Sequence, residues 1–170
     1  GGWHTARYLH ALASWLRRRR DGLDVVCVFG VQLEALAAAL ALRGRRPLVL
    51  RAERGGRDGD CRWQEQSSCG PGVRRRCAEA AAVIAPWASV RDELLASGYR
   101  REQVHLIANG VALTPPGDKN QKACARAVLG QLYTPAQMPP WAPLAVYAGR
   151  LDRRRGLGVL VEAWRLLGRR

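Results

Sequence analysis

The chain has 170 residues, 48% of them apolar, and 28 Lys and Arg stand against 14 Asp and Glu for a formal charge of +14. That length fits one domain and part of another, and the apolar share supports a packed core and excludes a disordered chain. No uncharged apolar run approaches the roughly 18 residues of a membrane-spanning helix. Trp3 to Leu16 is amphipathic rather than uniformly apolar, unlike a signal peptide. The positive charge is almost all arginine, since lysine occurs only at Lys119 and Lys122. Such a bias suits nucleic acid, an anionic membrane or phosphorylated substrates. Its even spread favours instead a general drift of the sequence toward arginine. Five cysteines (Cys27, Cys61, Cys69, Cys77 and Cys124) lack the paired spacing of a zinc site and leave one over, which fits reduced, cytoplasmic thiols.

In chain order, residues 3–20 form a helix with Tyr8, Leu9, Leu12, Trp15 and Leu16 on one face. Arg17 to Arg20 close it, where cations meet the negative end of the helix dipole. Asp24 to Gly30 is a short apolar run, a buried strand. Gln32 to Arg43 is Ala- and Leu-rich helix stopped by Gly44, and Pro47 to Leu50 is the next strand. This β–α–β succession implies a parallel sheet. Residues 53–72 are polar, Gly-rich and long for a βα connection, and read as a loop at the ligand-binding end of the sheet. Within it, Asp58-Gly59-Asp60 fits either a carboxylate pair for a divalent cation or ordinary turn chemistry.

The rhythm resumes with a short helix over 73–79 and a strand over Ala81 to Ala85. A helix follows from a capping-box-like Ser89 to Ser97, with Gly98 as its stop. Val104 to Ala108 is another strand, with His105 in its middle as a packed or solvated side chain. Asn109-Gly110 closes it, a dipeptide that readily takes positive φ. Asp118 then caps a helix from Lys119 to Leu132, and Pro135, Pro139, Pro140 and Pro143 mark a boundary. Leu144 to Ala148 reads as a buried strand, and Gly149-Arg150 as a tight turn. A basic loop through Arg153, Arg154 and Arg155 leads to a helix with Leu157, Leu160, Val161, Trp164 and Leu167 at helical spacing. Backbone N–H groups at such a helix start favour phosphate, and the crowded arginines add to that.

Ala82-Val-Ile-Ala85, Ser89 to Gly98, Val104 to Val111, a Pro-containing linker and Tyr147-Ala-Gly-Arg-Leu151 through Gly156 and Glu162-Ala163 follow one another colinearly. The order resembles the family-four glycosyltransferases of the GT-B architecture over residues 80–165. The resemblance implies an α/β fold, with a partial Rossmann-like, acceptor-side domain at 1–112. A linker with one helix would occupy 113–142, and a second Rossmann-like, donor-binding domain would begin at 143–170. It implies transfer of a sugar, with retention, from a nucleotide-diphosphate-sugar to a glycan, lipid or small-molecule acceptor. The donor is a substrate, and no cofactor or metal is expected. By position, Gly149, Arg150 and Arg155 would bind the donor diphosphate, and Asn109 and Gly110 would line the inter-domain cleft. Arg155 stands for the family's lysine, Ala108 for its proline and Trp87 for a serine. The family's pair of glutamates has no counterpart before Arg170, so the chain reads as an internal portion not expected to turn over alone. Two other readings stand beside this one: another Rossmann-like nucleotide-dependent enzyme, and a basic nucleic-acid-binding module. No Gly-x-Gly-x-x-Gly follows a strand to favour the first, and no recognition element favours the second. Arg17–Arg20 add the expectation of peripheral contact with an anionic membrane.

Overall fold

The computed structural model describes residues 2–113, 115–132, 145–149, 151 and 156–167. Two compact units make up the chain, residues 1–112 and 113–170.

The first unit opens with α1 (Gly2–Arg19), whose Leu16 is buried while Leu12 and Ala13 pack partly against the core. A 3₁₀ turn (Arg20–Gly22) ends it. Arg46 takes up the terminal carbonyls, donating through Nε to the Arg20 carbonyl at 2.9 Å and through Nη2 to that of Asp21 at 2.7 Å. Four strands follow: β1 (Val26–Phe29), β2 (Leu48–Arg51), β3 (Ala82–Ala85) and β4 (Val104–Leu106). All pairings are parallel and the order is β1-β2-β3-β4, with Val28, Leu50, Val83 and Val104 in one register row. Between them lie α2 (Leu33–Leu42), α3 (Asp60–Gln66), α4 (Gly70–Cys77) and α5 (Ala88–Ala96).

When each new strand is added on the same side of the last, right-handed crossovers put every connecting helix on one face. The burial pattern agrees. Leu48, Leu50, Val83 and Ala85 join Ala35, Ala38, Val73, Val90 and Leu94 in a single core. The alternate residues Cys27, Phe29 and His105 point away from that core and are exposed. Burying parallel strands against one helical layer leaves the other face of the sheet apolar and uncovered within this unit.

Several expectations need correction. Residues 53–72 are not a loop, because α3 and the first turn of α4 lie inside them. Their buried positions include Asp60, Gln64 and Gly70, so polar residues hid a packed segment. The helix expected at 73–79 therefore begins at Gly70, with Pro71 in its first turn. Ser89 makes no cap. Its helix, α5, is entered through extended Trp87 without a side-chain cap bond. Nor do Asn109 and Gly110 take positive φ; in the first unit the left-handed positions are Arg43, Gly30, Gly44, Gly56 and Gly98.

In the second unit, α6 (Lys119–Leu132) begins with the expected cap. Asp118 Oδ1 accepts from the Gln121 N–H at 2.7 Å while Gln121 Oε1 accepts from the Asp118 N–H at 3.1 Å, a reciprocal capping box. Residues 145–148, expected as a strand, are not one. A strand needs a ladder partner, and none exists among the described residues of this unit. The last element is α7 (Leu157–Leu167), entered through Gly156 at φ 76°.

Candidate functional site

The carboxyl ends of parallel strands converge on one edge of a sheet, where side chains from several loops meet. In the first unit that edge is held by backbone bonds running across it. Gly30 donates to the Arg51 carbonyl at 2.7 Å, Ala52 to that of Ile84 at 2.9 Å, and Ile107 to that of Ala85 at 3.0 Å. These bonds carry the strand alignment one residue beyond each ladder and fix where Gly30, Ala52 and Ile107 begin their loops.

Asp60 organises the edge from beneath. Its carboxylate is 1% exposed. Oδ2 accepts from the backbone N–H groups of Glu53 and Arg54 at 2.8 and 3.2 Å, and Oδ1 accepts from Gln32 Nε2 at 2.8 Å. One buried side chain thus ties the loop after β1 to the loop after β2, accepting from two backbone N–H groups and a glutamine. Asp58 is exposed and shares none of this role. The carboxylate-pair reading of Asp58 and Asp60 gives way to a hydrogen-bonded loop anchor. Among the described residues no cluster of three or more His, Cys, Asp or Glu side chains is placed to hold a metal ion.

A second buried group sits close behind. Gln64 Nε2 donates to the Val31 carbonyl at 2.6 Å and to the Tyr99 hydroxyl at 2.9 Å. The Cys77 thiol points at the same Val31 carbonyl, with Sγ 3.9 Å from the oxygen. Burial pushes the Cys77 thiol from its ordinary 9.0 up to about 12, against a smaller lowering by a hydrogen bond with Tyr99. Burial likewise raises the Tyr99 hydroxyl and the Cys61 thiol. These groups stay protonated at neutral pH, so they act as packing and hydrogen-bonding elements, not as nucleophiles. All five cysteines are free.

The solvent side of the edge is built from Phe29, Arg51 and Asn109, three residues from three strand ends. The Arg51 guanidinium lies over the Phe29 ring, 5.5 Å from its centroid, and donates through Nη2 to Asn109 Oδ1. Asn109, singled out by the chain's motifs, is thereby fixed across the sheet from β2. The roles of Arg51 and Asp60 were not evident from sequence. The signal for Arg51 was a charge at the carboxyl end of the apolar run Pro47 to Leu50. Gly110 follows in open space, with nothing within 4 Å of where a β-carbon would stand. Trp87 stands at the start of α5 and is 45% exposed.

In the second unit, Gly149 bends the chain and lies close to Tyr147; a β-carbon there would come within 3.1 Å of the Tyr147 hydroxyl. Arg150 and Arg155, the expected diphosphate ligands, lie outside the described residues, as do Arg153 and Arg154. Gly149 and these arginines belong to one unit, and Asn109 and Gly110 to the other.

Comparison with known proteins gives this edge a context. A curated relative, the D-inositol 3-phosphate glycosyltransferase of Jonesia denitrificans, is 39% identical over 69 residues, which is 39% of this chain and 15% of the relative. Among solved structures, HepE of Anabaena, crystallised in complex with UDP-glucose, matches with a TM-score of 0.52 at 19% identity. That match covers 72% of this chain and 32% of the other, and it fixes the fold as the Rossmann-like α/β type. The chain thus spans well under half the length of the relatives it matches. The model of the glycosyl transferase 4-like domain matches residues 1–110, almost the whole of the first unit. On that match the chain belongs to the glycosyl transferase 4-like family.

Proposed function

We propose that the chain is part of a retaining glycosyltransferase that takes its sugar from a nucleotide-diphosphate-sugar. The observation that carries this reading is the family match over residues 1–110, whose sheet edge presents Asn109 clasped by Arg51. UDP-glucose in the HepE structure supports a nucleotide-sugar as the class of donor. In this reading residues 1–112 form the acceptor-side domain, 113–142 the linker and 143–170 the start of the donor-binding domain.

The chemistry asks for positive charge at the leaving group. As the glycosidic bond breaks, negative charge grows on the departing nucleoside diphosphate. Arg150 and Arg155 are assigned to it, each able to offer a planar pair of N–H donors to phosphate oxygens. Gly149, lacking a side chain, would let the backbone come close to the same phosphates. Asn109 and Gly110 are assigned to the substrate cleft by their motif. The donor diphosphate supplies most of the recognition in this scheme. Equilibrium dialysis of the protein with UDP, GDP and ADP, and with the matching monophosphates, tests it. At least one diphosphate is expected to bind roughly tenfold or more tightly than its monophosphate. Equal affinity for the two phosphate lengths across all three bases would defeat the proposal.

A further inference from the structure

We propose that Arg51 is a positioning residue: it acts on the bound nucleotide-sugar through Asn109, whose amide it turns so that both N–H donors face the ligand. The inference rests on the assignment of Asn109 to the substrate cleft made above. Arg51 is the last residue of β2, paired with Phe29 of β1 on one side and with Ile84 of β3 on the other. Its carbonyl accepts from the Gly30 N–H at 2.7 Å. The backbone is thus held from both neighbouring strands, and only the side chain is left to be placed. Phe29 places it, with its ring centroid 5.5 Å from the guanidinium carbon. From there Nη2 donates to Asn109 Oδ1. Because β3 lies between β2 and β4, the clasp crosses two strand spacings, about 10 Å. A short donor on β2 would not bridge that gap.

Asn109 has no other anchor of this kind. The last backbone bond that ties the β4 end to the sheet runs from the Ile107 N–H to the Ala85 carbonyl, two residues earlier. Among the described residues Arg51 is the hydrogen-bond partner of Asn109. An asparagine amide carries an acceptor on one side and two donors on the other, and an arginine carries donors only. Oδ1 is therefore the atom that must face Arg51, and the clasp selects one of the two amide orientations. The Nδ2 donors are turned the other way, toward sugar hydroxyl or phosphate oxygens that can accept from them. Without the guanidinium both orientations are open, and half of them present an acceptor where the ligand needs a donor.

The test is a double-mutant cycle on ligand affinity, read by equilibrium dialysis of the full chain with UDP-glucose, GDP-glucose and ADP-glucose. For the nucleotide-sugar that the parent binds best, Arg51→Met and Asn109→Ala should each lower affinity about tenfold. The double variant should lose no more than Asn109→Ala alone, because Arg51 has nothing left to act through. Arg51→Lys, which keeps a donor-only side chain, should recover part of the loss. Phe29→Leu, which removes only the ring under the guanidinium, should weaken binding in the parent and not in Asn109→Ala. Arg101→Gln, at an exposed arginine before the amino end of β4, should bind like the parent. Losses that multiply in the double variant would overturn the proposal, as would Arg51→Met or Asn109→Ala binding like the parent, or Arg51→Lys losing as much as Arg51→Met. A parent that binds none of the three overturns the functional reading and this inference with it, whereas a parent that binds with no coupling in the cycle overturns this inference alone. Circular dichroism matching the parent establishes that each variant is folded.

Discussion

Asp60 shows how one buried side chain can be misjudged from its neighbours in sequence. Beside Asp58 it resembles half of a cation site, yet it is an acceptor for two backbone N–H groups and a glutamine. Asp60→Ala should cost about 2–4 kcal/mol in chemical denaturation, because a buried side chain and its three hydrogen bonds are lost together. Asp58→Ala, at an exposed position, should cost under about 0.5 kcal/mol. Comparable losses at both positions would restore the paired-carboxylate reading. Cys77 gives a pH signature. The unfolded thiol releases its proton near 9.0, whereas the folded one holds it until about 12. Between those values the unfolded state binds fewer protons, so stability is unaffected below pH 9.0 and falls as pH rises toward 12. Denaturation midpoints for the parent and Cys77→Ala should therefore converge in the alkaline range. A gap that stays constant with pH would contradict the assignment.

Elements with a clear period were legible, and those built around buried polar groups were not. The apolar runs that became β1 to β4 and the Ala-rich α2 stand where hydrophobic patterning puts them. The reciprocal cap of α6 was readable because Asp118 and Gln121 announce it by type and spacing. By contrast, α3 carries Asp60 and Gln64 inward, so its packed side looks like a polar loop. Its junction with α4 rests on a close approach. A β-carbon on Gly70 would lie 2.6 Å from the Gln64 carbonyl carbon and 2.9 Å from its α-carbon. Gly70→Ala must therefore push α3 and α4 apart, and thermal unfolding should record a loss of about 2–4 kcal/mol. An unchanged midpoint would mean that the junction yields freely. Residues 145–148 illustrate the opposite limit, since apolar residues alone do not make a strand without a neighbour to pair with, and none lies among the described residues of this unit.

Across the whole molecule, strand order explains what no single segment could reveal. Regular alternation of strand and helix implied a parallel sheet, but only the order β1-β2-β3-β4 shows that all crossovers share one face. The Asn109 motif was legible, whereas the Arg51 clasp that holds it joins residues 58 positions apart and could not be read from either segment. The family match rests on the first unit, while the charge expected to act on the donor resides in the second. Arg150 and Arg155 are therefore the residues on which the functional reading turns. Donor affinity should be measured for the parent protein, Arg150→Ala, Arg155→Ala and the neighbouring Arg153→Ala, using whichever nucleoside diphosphate binds best. The account predicts losses of roughly 10- to 100-fold for Arg150→Ala and Arg155→Ala, with Arg153→Ala close to the parent. Equal affinities for all four proteins would contradict it.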